Sequence, residues 1–223
     1  MKYEDWEPFY KKILKEFNFK ESEDKKSAEL LNNLLLNKSI SPPEELNQLI
    51  KGKQIFVFGA GASLENSIIK NQKLFDTGIK ISADGATSCL VKYGVSPDII
   101  VTDLDGNVED QIKSNDNGSI IIIHAHGDNK DIIRKYIPKI NGKIIGTTQA
   151  DPSKFKNVYN FGGFTDGDRS VFIADHFNAK KITLIGFDFD GKIGKYSFSE
   201  NKNKKIKLKK LRWCKKLIKM LLD

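Results

Sequence analysis

The sequence predicts an α/β fold: a Rossmann-like, mostly parallel sheet with helices on both faces, preceded by a small N-terminal helical region and closed by a basic C-terminal amphipathic helix. Three observations predict it. Between residues 54 and 187, short β-branched runs alternate with helix-length stretches, the pattern of βαβ units. Runs such as Ile120-Ile121-Ile122-Ile123 are apolar without alternation, which marks strands covered on both faces. Polar clusters rich in Gly and Asp follow the runs, at the edge where an open sheet keeps its ligand site.

The elements follow in order. Trp6, Phe9, Tyr10, Ile13, Leu14 and Phe17 recur at helical spacing and give a first helix one aromatic face to bury. A second helix over residues 23–37 turns Ala28, Leu31, Leu34 and Leu35 inward. Ser41-Pro42-Pro43-Glu44 then combines an N-cap Ser with Pro in the first turn, and this short helix stops at Gly52. Residues 1–52 therefore form the helical region, with no grouped catalytic residue types, and 53–223 the catalytic domain. Strands are expected at 54–58, 79–83, 99–102, 119–124, 143–147, 158–161 and 182–187. Helices are expected at 63–75, 87–93, 109–115, 129–137, 167–178 and 204–222.

Bulk composition narrows the function. At 223 residues, 39% hydrophobic and 30% charged, the chain suits one substantial globular domain. No run approaches the roughly 18 apolar residues of a membrane helix, and Met1-Lys2-Tyr3-Glu4-Asp5-Trp6 does not resemble a signal peptide, so a cytoplasmic protein without a membrane partner is expected. Cys89 and Cys214 give neither a disulfide framework nor a zinc site and read as small buried hydrophobes. The net charge of +8 favours polyanionic partners, but much of it is crowded between Lys202 and Lys219. There, Leu208, Leu211, Cys214, Leu217, Ile218 and Leu221 define a docked face and the lysines a solvated one. Lys192, Lys195 or the 204–210 run could add positive charge near a bound nucleotide. No nucleic-acid recognition motif accompanies the lysines, so nucleic acid is not an expected partner. The aromatic face of the first helix also offers a surface for a homodimer.

The most informative motif is Pro97-Asp98-Ile99-Ile100-Val101-Thr102-Asp103-Leu104-Asp105-Gly106. Asp103 and Asp105 leave the end of a buried strand, and two carboxylates so close repel each other unless a hard cation lies between them. Oxygen-only ligation suits Mg²⁺ carrying substrate phosphates. Asp84, in Ala83-Asp84-Gly85-Ala86, ends the preceding strand and could join that site, grip a ribose or cap the next helix.

The other strand-end loops carry further candidates. Gly59-Ala60-Gly61-Ala62-Ser63 opens a helix, so Gly59, Gly61 and Ser63 are candidate phosphate contacts, against a purely steric need for glycine. His124-Ala125-His126-Gly127-Asp128 offers Asp128, helped by His126, as a third metal or phosphate contact. The two histidines are expected to face opposite sides of the strand if it continues that far, and so not to share one ion. In Gly162-Gly163-Phe164-Thr165-Asp166-Gly167-Asp168-Arg169, Thr165 and Asp168 can form a capping box. Asp166 or Asp168 could also bond a heterocycle edge and Arg169 a phosphate. Gly186-Phe187-Asp188-Phe189-Asp190-Gly191 suits a flat, nitrogen-rich ring, with Asp188 the candidate contact.

Taken together, Phe58-Gly59-Ala60-Gly61, Ala83-Asp84-Gly85-Ala86, Thr102-Asp103-Leu104-Asp105-Gly106 and the 162–169 loop resemble the archaeal 6-hydroxymethyl-7,8-dihydropterin pyrophosphokinases, a branch of the thiamin-pyrophosphokinase-like superfamily. The likeness runs over nearly the whole chain and includes Gly194-Lys195-Tyr196-Ser197. The acidic loop is similar to the Gly-Asp-x-Asp-Ser loop of thiamin pyrophosphokinases, with Thr102 and Gly106 in the outer places. That family's Asp-x-Thr-Asp motif is replaced here by His126-Gly127-Asp128, which argues against thiamin as substrate. The resemblance implies diphosphate transfer from ATP to the hydroxymethyl group of a reduced pterin, releasing AMP, in tetrahydromethanopterin- or folate-type biosynthesis. It implies Mg²⁺ on Asp103 and Asp105, joined by Asp84 and Asp128, with Arg169 on phosphate. The 59–63 loop would take phosphate or ribose, and Gly163, Thr165, Asp166, Asp168 and Asp188 would line the pterin pocket. Two rival readings are a nucleotide-sugar glycosyltransferase of the flagellin-modifying type and a non-catalytic nucleotide- or nucleic-acid-binding module.

Overall fold

Seven apolar runs become seven strands: β1 Gln54–Phe58, β2 Ile79–Ala83, β3 Ile99–Thr102, β4 Ile120–Ala125, β5 Ile144–Thr148, β6 Val158–Tyr159 and β7 Lys181–Ile185. They form one sheet in the order β6-β5-β4-β3-β2-β1-β7, and every pairing is parallel. The computed structural model describes residues 1–190, 194–197 and 204–223, so Lys192 lies outside the described residues. The helices are α1 Tyr3–Phe17, α2 Glu21–Leu35, α3 Pro43–Ile50, α4 Leu64–Asn71, α5 Ala86–Lys92, α6 Val108–Asp116, α7 Lys130–Tyr136, α8 Asp166–His176 and α9 Lys204–Leu222. Strand ends differ slightly from expectation where the backbone turns. β7 stops at Ile185 because Gly186 takes φ +70°, a left-handed conformation that breaks the ladder.

Period-two alternation divides the core. Ile55, Val57, Ile81, Ile99, Val101, Ile120, Ile122 and Ile145 point to one face, where they meet α3, α8 and α9. Phe56 and Phe58 point to the other, against α4 and α5, while Ile100, Ile121, Ile123 and Ile144 meet α2, α6 and α7 there. Covering both faces explains why the strands read as unbroken apolar runs. Cys89 and Cys214 are buried within these layers, as the sequence suggested.

Chain topology sets where chemistry can occur. From β1 to β6 the strands advance in one direction, so right-handed crossovers place α4 to α7 on one face. The return from β6 to β7 spans the sheet, and its helix α8 lies on the opposite face over β1, β2 and β3. The N-terminus of α8 therefore arrives beside the carboxyl ends of the central strands.

The first helices share cores with the sheet. Trp6, Tyr10 and Ile13 of α1 pack against Phe172 of α8 and Trp213 and Leu217 of α9. The aromatic face expected to serve a dimer is thus buried within the chain itself. Ser41 does not cap α3, because its N–H donates to the Ile144 carbonyl (3.0 Å) in a short extension of the β5 edge. Pro42 takes the cap position instead. Among the described residues, no helix is long and apolar enough to cross a membrane.

Candidate active site

The end of β2 and the end of β3 bring two aspartates together through unusual backbone. Asp84 adopts φ +45° and Leu104 φ +67°, a region that residues with side chains enter infrequently. Leu104 is nonetheless buried, so packing holds the strained turn in place. Thr102 links the two loops: its hydroxyl donates to Asp84 Oδ1 (2.9 Å) and accepts the Leu104 N–H (2.8 Å). Gln111 of α6 reaches Asp84 Oδ1 (3.2 Å) and the Asp105 carbonyl (3.0 Å) with the same amide nitrogen. The third carboxylate is Asp166, the first residue of α8, delivered by the long crossover. One oxygen from each of Asp84, Asp103 and Asp166 lies within 4.8 Å of the other two.

Such a group is electrostatically unfavourable by itself. Burial raises the Asp84 carboxyl well above its usual range, and the charges of Asp103, Asp166 and Asp105 add to the effect. Asp166 is pushed up to about 7 by burial and by Asp103, against the opposing pull of Arg169. Either protons or a cation must relieve this repulsion. The donors are all hard carboxylate oxygens, and Mg–O bonds of about 2.1 Å place ligand oxygens roughly 3 to 4 Å apart. The residues present therefore fit Mg²⁺ after small side-chain rotations. Asp105 and Asp128, expected as ligands with Asp103, are not in this three-carboxylate group. Asp105 Oδ1 accepts the N–H of Gly106 (2.9 Å), and Asp128 Oδ1 accepts from His126 Nδ1 (2.5 Å).

His126 joins the cluster from β4. Its Nε2 donates to Asp103 Oδ2 (3.1 Å) while Nδ1 donates to Asp128, an arrangement that needs both ring protons. Burial works against that charge, but the two carboxylates outweigh it and hold His126 up at about 9. His126 in turn draws Asp128 down to about 2. The His124 and His126 rings lie 5.9 Å apart at a shallow 28° angle, on one side and not on opposite faces as expected, because residues two apart along a strand share a face. His124 is buried against Thr147 Oγ1 (3.2 Å), and burial lowers its pKa well below the usual value.

The glycine loop does a different job from the expected one. Gly59 N–H donates to the Ile185 carbonyl (2.8 Å) and Gly61 N–H to the Gly186 carbonyl (2.9 Å). Asp188 Oδ2 accepts both the N–H (2.7 Å) and the hydroxyl (2.9 Å) of Ser63. These donors are already satisfied by the β7 loop, which leaves them no hydrogen for a phosphate. A Cβ on Gly61 would lie 2.3 Å from Asp188 Oδ2 and 2.4 Å from the Gly186 carbonyl, so the glycine requirement is steric. Asp188 correspondingly pins this loop. Lys195 pairs with Glu65 of α4, which also accepts from Tyr196 (3.3 Å).

The 162–169 loop is mainly a scaffold. Gly163 sits at φ +90°, and a Cβ there would lie 2.4 Å from Arg169 Cα. Asp168 is fully buried and accepts the N–H of Phe164 (2.6 Å), the N–H of Thr165 (2.8 Å) and the Thr165 hydroxyl, completing the capping box. Fully buried and with both oxygens engaged, Asp168 shapes the loop and does not face a ring. Arg169, expected on phosphate, is equally buried. It donates to Asp166 Oδ1 (2.7 Å) and the Phe164 carbonyl (3.1 Å), so it orients Asp166 from behind.

One residue escaped the sequence reading. Asp24 of α2 is buried and accepts the N–H of Gly127 (2.7 Å), the Tyr10 hydroxyl (2.6 Å) and Gln149 Nε2 (2.9 Å). It ties the N-terminal helices to the loop carrying His126 and Asp128. An acid on the same helical face as Ala28, Leu31 and Leu35 was the available signal. A separate cleft of about 590 Å³ at the opposite, amino edge of the sheet is lined by Lys53, Asp98, Lys113 and Lys143 and holds none of the clustered acids.

Comparison with known proteins places the chain in a family. The chain is 43% identical over 226 residues to a 6-hydroxymethyl-7,8-dihydropterin pyrophosphokinase of Pyrococcus furiosus, covering 99% of this chain and 94% of the relative. It is 44% identical over 234 residues to the protein of that name from Methanocaldococcus jannaschii, covering 100% and 97%. The Methanothermobacter thermautotrophicus protein of the same name is 41% identical over 197 residues, covering 88% and 83%. A solved structure of MAf glycosyltransferase from Magnetospirillum magneticum AMB-1 aligns at a TM-score of 0.39 with 13% identity, over 73% of this chain and 28% of the other, too loosely to bear on function. The sequence model for 6-hydroxymethylpterin diphosphokinase MptE-like proteins matches residues 28–194, and with these relatives it establishes that the chain belongs to that family.

Proposed function

We propose that this chain transfers the terminal diphosphate of ATP to the hydroxymethyl oxygen of 6-hydroxymethyl-7,8-dihydropterin, giving the pterin diphosphate and AMP. Such a step would serve the assembly of a tetrahydromethanopterin- or folate-type cofactor. The observation that carries the reading is the three-carboxylate group of Asp84, Asp103 and Asp166 at the carboxyl edge of β2 and β3, in a chain of this family. In the reaction the alcohol oxygen forms a bond to the β-phosphorus. The bond from that phosphorus to the oxygen shared with the α-phosphate breaks, AMP leaves with that oxygen, and the hydroxyl proton passes to water.

Mg²⁺ held by Asp84, Asp103 and Asp166 would offset charge on the triphosphate. The protein's own groups supply position. His126 orients Asp103, Arg169 orients Asp166, and Thr102 with Gln111 orients Asp84. A loose phosphoryl transition state asks little of a base until late, so alignment of alcohol and triphosphate supplies much of the rate. The N-terminus of α8 adds a positive dipole end beside the cluster.

The test is AMP release from ATP and Mg²⁺ with three acceptors in parallel: 6-hydroxymethyl-7,8-dihydropterin, thiamin and a sugar alcohol. The reading expects AMP and pterin diphosphate in equal amounts with the pterin and background AMP with the others. Turnover of thiamin or the sugar in preference to the pterin would overturn it.

A further inference from the structure

We infer that Lys210 of α9 is a polyphosphate-binding residue of this site, an assignment that rests on the diphosphate-transfer reading and completes it. Five carboxylates, Asp84, Asp103, Asp105, Asp128 and Asp166, stand in or around the cluster, and a nucleoside triphosphate would bring about four more negative charges. Among the described residues, the two cations bonded to them are already committed. Arg169 is buried on Asp166 and the Phe164 carbonyl, and His126 is held between Asp103 and Asp128.

Lys210 is placed differently. α9 packs on α8, and the Lys210 Nζ lies 5.6 Å from the centre of the Phe164 ring. Phe164 is two residues before Asp166, and its carbonyl accepts from the same guanidinium that holds Asp166. The ammonium therefore stands over the turn that leads into α8, where Asp166 is the first helical residue. An aromatic face steadies an ammonium without neutralising it, so the charge stays available.

Neighbouring lysines of α9 show the contrast. Lys209 donates to the Glu16 carbonyl (2.7 Å) and faces its carboxylate, Lys216 lies 4.7 Å from the Trp213 ring centre, and Lys219 faces Asp223 (3.9 Å). Among the described residues Lys210 belongs to no ion pair, and its ammonium stands over Phe164, two residues before Asp166. Three N–H donors on a flexible stem suit the β- and γ-phosphate oxygens, which AMP lacks.

The experiment compares wild type with Lys210→Met, Lys210→Arg and the control Lys216→Met. Calorimetry would measure inorganic tripolyphosphate and AMP binding in the presence of Mg²⁺, and steady-state assays the KM for ATP and kcat. Lys210→Met is expected to weaken tripolyphosphate binding and raise the KM for ATP by about tenfold or more, the effect of losing one charge-assisted contact. AMP affinity and melting temperature should stay at wild-type levels, Lys210→Arg should recover most of the loss, and Lys216→Met should behave as wild type. Tripolyphosphate binding by Lys210→Met within twofold of an active wild type would overturn the assignment of Lys210 alone. An equal loss of AMP and tripolyphosphate affinity would overturn the β- and γ-phosphate assignment in favour of a contact to any phosphate, the α-phosphate included. A wild type that neither binds tripolyphosphate nor forms AMP from the pterin would overturn this inference and the parent reading together.

Discussion

Replacing Asp84 by Asn should make the metal-free protein more stable while destroying its activity. Asn tolerates the left-handed backbone that Asp84 occupies at φ +45°, and its Oδ1 can still accept from Thr102 and Gln111. What disappears is a carboxyl that, in the folded protein without a cation, must either face two other carboxylates within 4.8 Å or take up a proton well above its usual range. At that distance and an effective dielectric constant of about 20, each fully charged pair repels by about 3 kcal/mol. Asp166, held near 7, carries only part of its charge at neutral pH, and the His126 imidazolium offsets part of Asp103. The net gain should therefore be about 1–3 kcal/mol, or about 3–10 °C in melting temperature for a chain of this size. Calorimetric melts in chelator and across a Mg²⁺ titration would measure it. Wild type should rise steeply with Mg²⁺ and the variant much less, since the ion binds the folded state through the carboxylate that was removed. A variant that melts below wild type in chelator, or that gains as much from Mg²⁺, would refute the argument that these carboxylates are held together for a cation.

Two further outcomes follow from the same geometry. In chelator, the Asp166 carboxyl, raised to about 7 from 3.8, is a destabilising group whose effect is full above pH 7 and relieved as pH falls toward 3.8. His126, raised to about 9 from 6.5, contributes stability that is full below pH 6.5 and lost as pH rises through 9. Asp166 thus predicts a melting temperature that falls between pH 3.8 and 7 and His126 one that falls between pH 6.5 and 9; a flat or rising profile in the first window would contradict the Asp166 argument, and in the second the His126 argument. Gly61→Ala should destabilise the fold by about 1–3 kcal/mol because its Cβ has no room beside Gly186 and Asp188. A denaturant midpoint unchanged from wild type would return the 59–63 loop to a free, phosphate-binding role.

Much of the fold was legible because parallel strands buried on both faces must be apolar runs, and the breaks between them fall at Gly, Asp and Asn. All seven strands were placed within two residues of their observed ends. Asp84 and Asp103 were legible for the related reason that an acid at the end of such a run emerges at the carboxyl edge. Asp166 was read as a ring contact instead. Its meeting with Asp84 depends on the crossover that lays α8 over β1 to β3, which no local spacing encodes. The 59–63 loop was misread because its sequence reports a glycine requirement but not whether the close neighbour is a phosphate or the Gly186 backbone. Arg169 and Asp168 carried chemistry-bearing side chains, yet burial turned both toward holding the loop; the capping box was the correct part of that reading. Asp24 was hidden by treating the helical preface as a separate region. Its partners Gly127 and Gln149 lie more than a hundred residues away.

The central claim is that Asp103, with Asp84 and Asp166, gathers a divalent ion for diphosphate transfer. The most direct measurement follows AMP and pterin diphosphate together by mass spectrometry, for chelator-stripped wild type and Asp103→Asn as Mg²⁺ is added back. We predict saturable, equimolar formation of both products by wild type. Asp103→Asn should fall by about a hundredfold or more, the scale of losing a main electrostatic contact, while keeping its folded spectrum. Wild-type turnover that ignores Mg²⁺ removal, or near-normal turnover by the variant, would contradict the account.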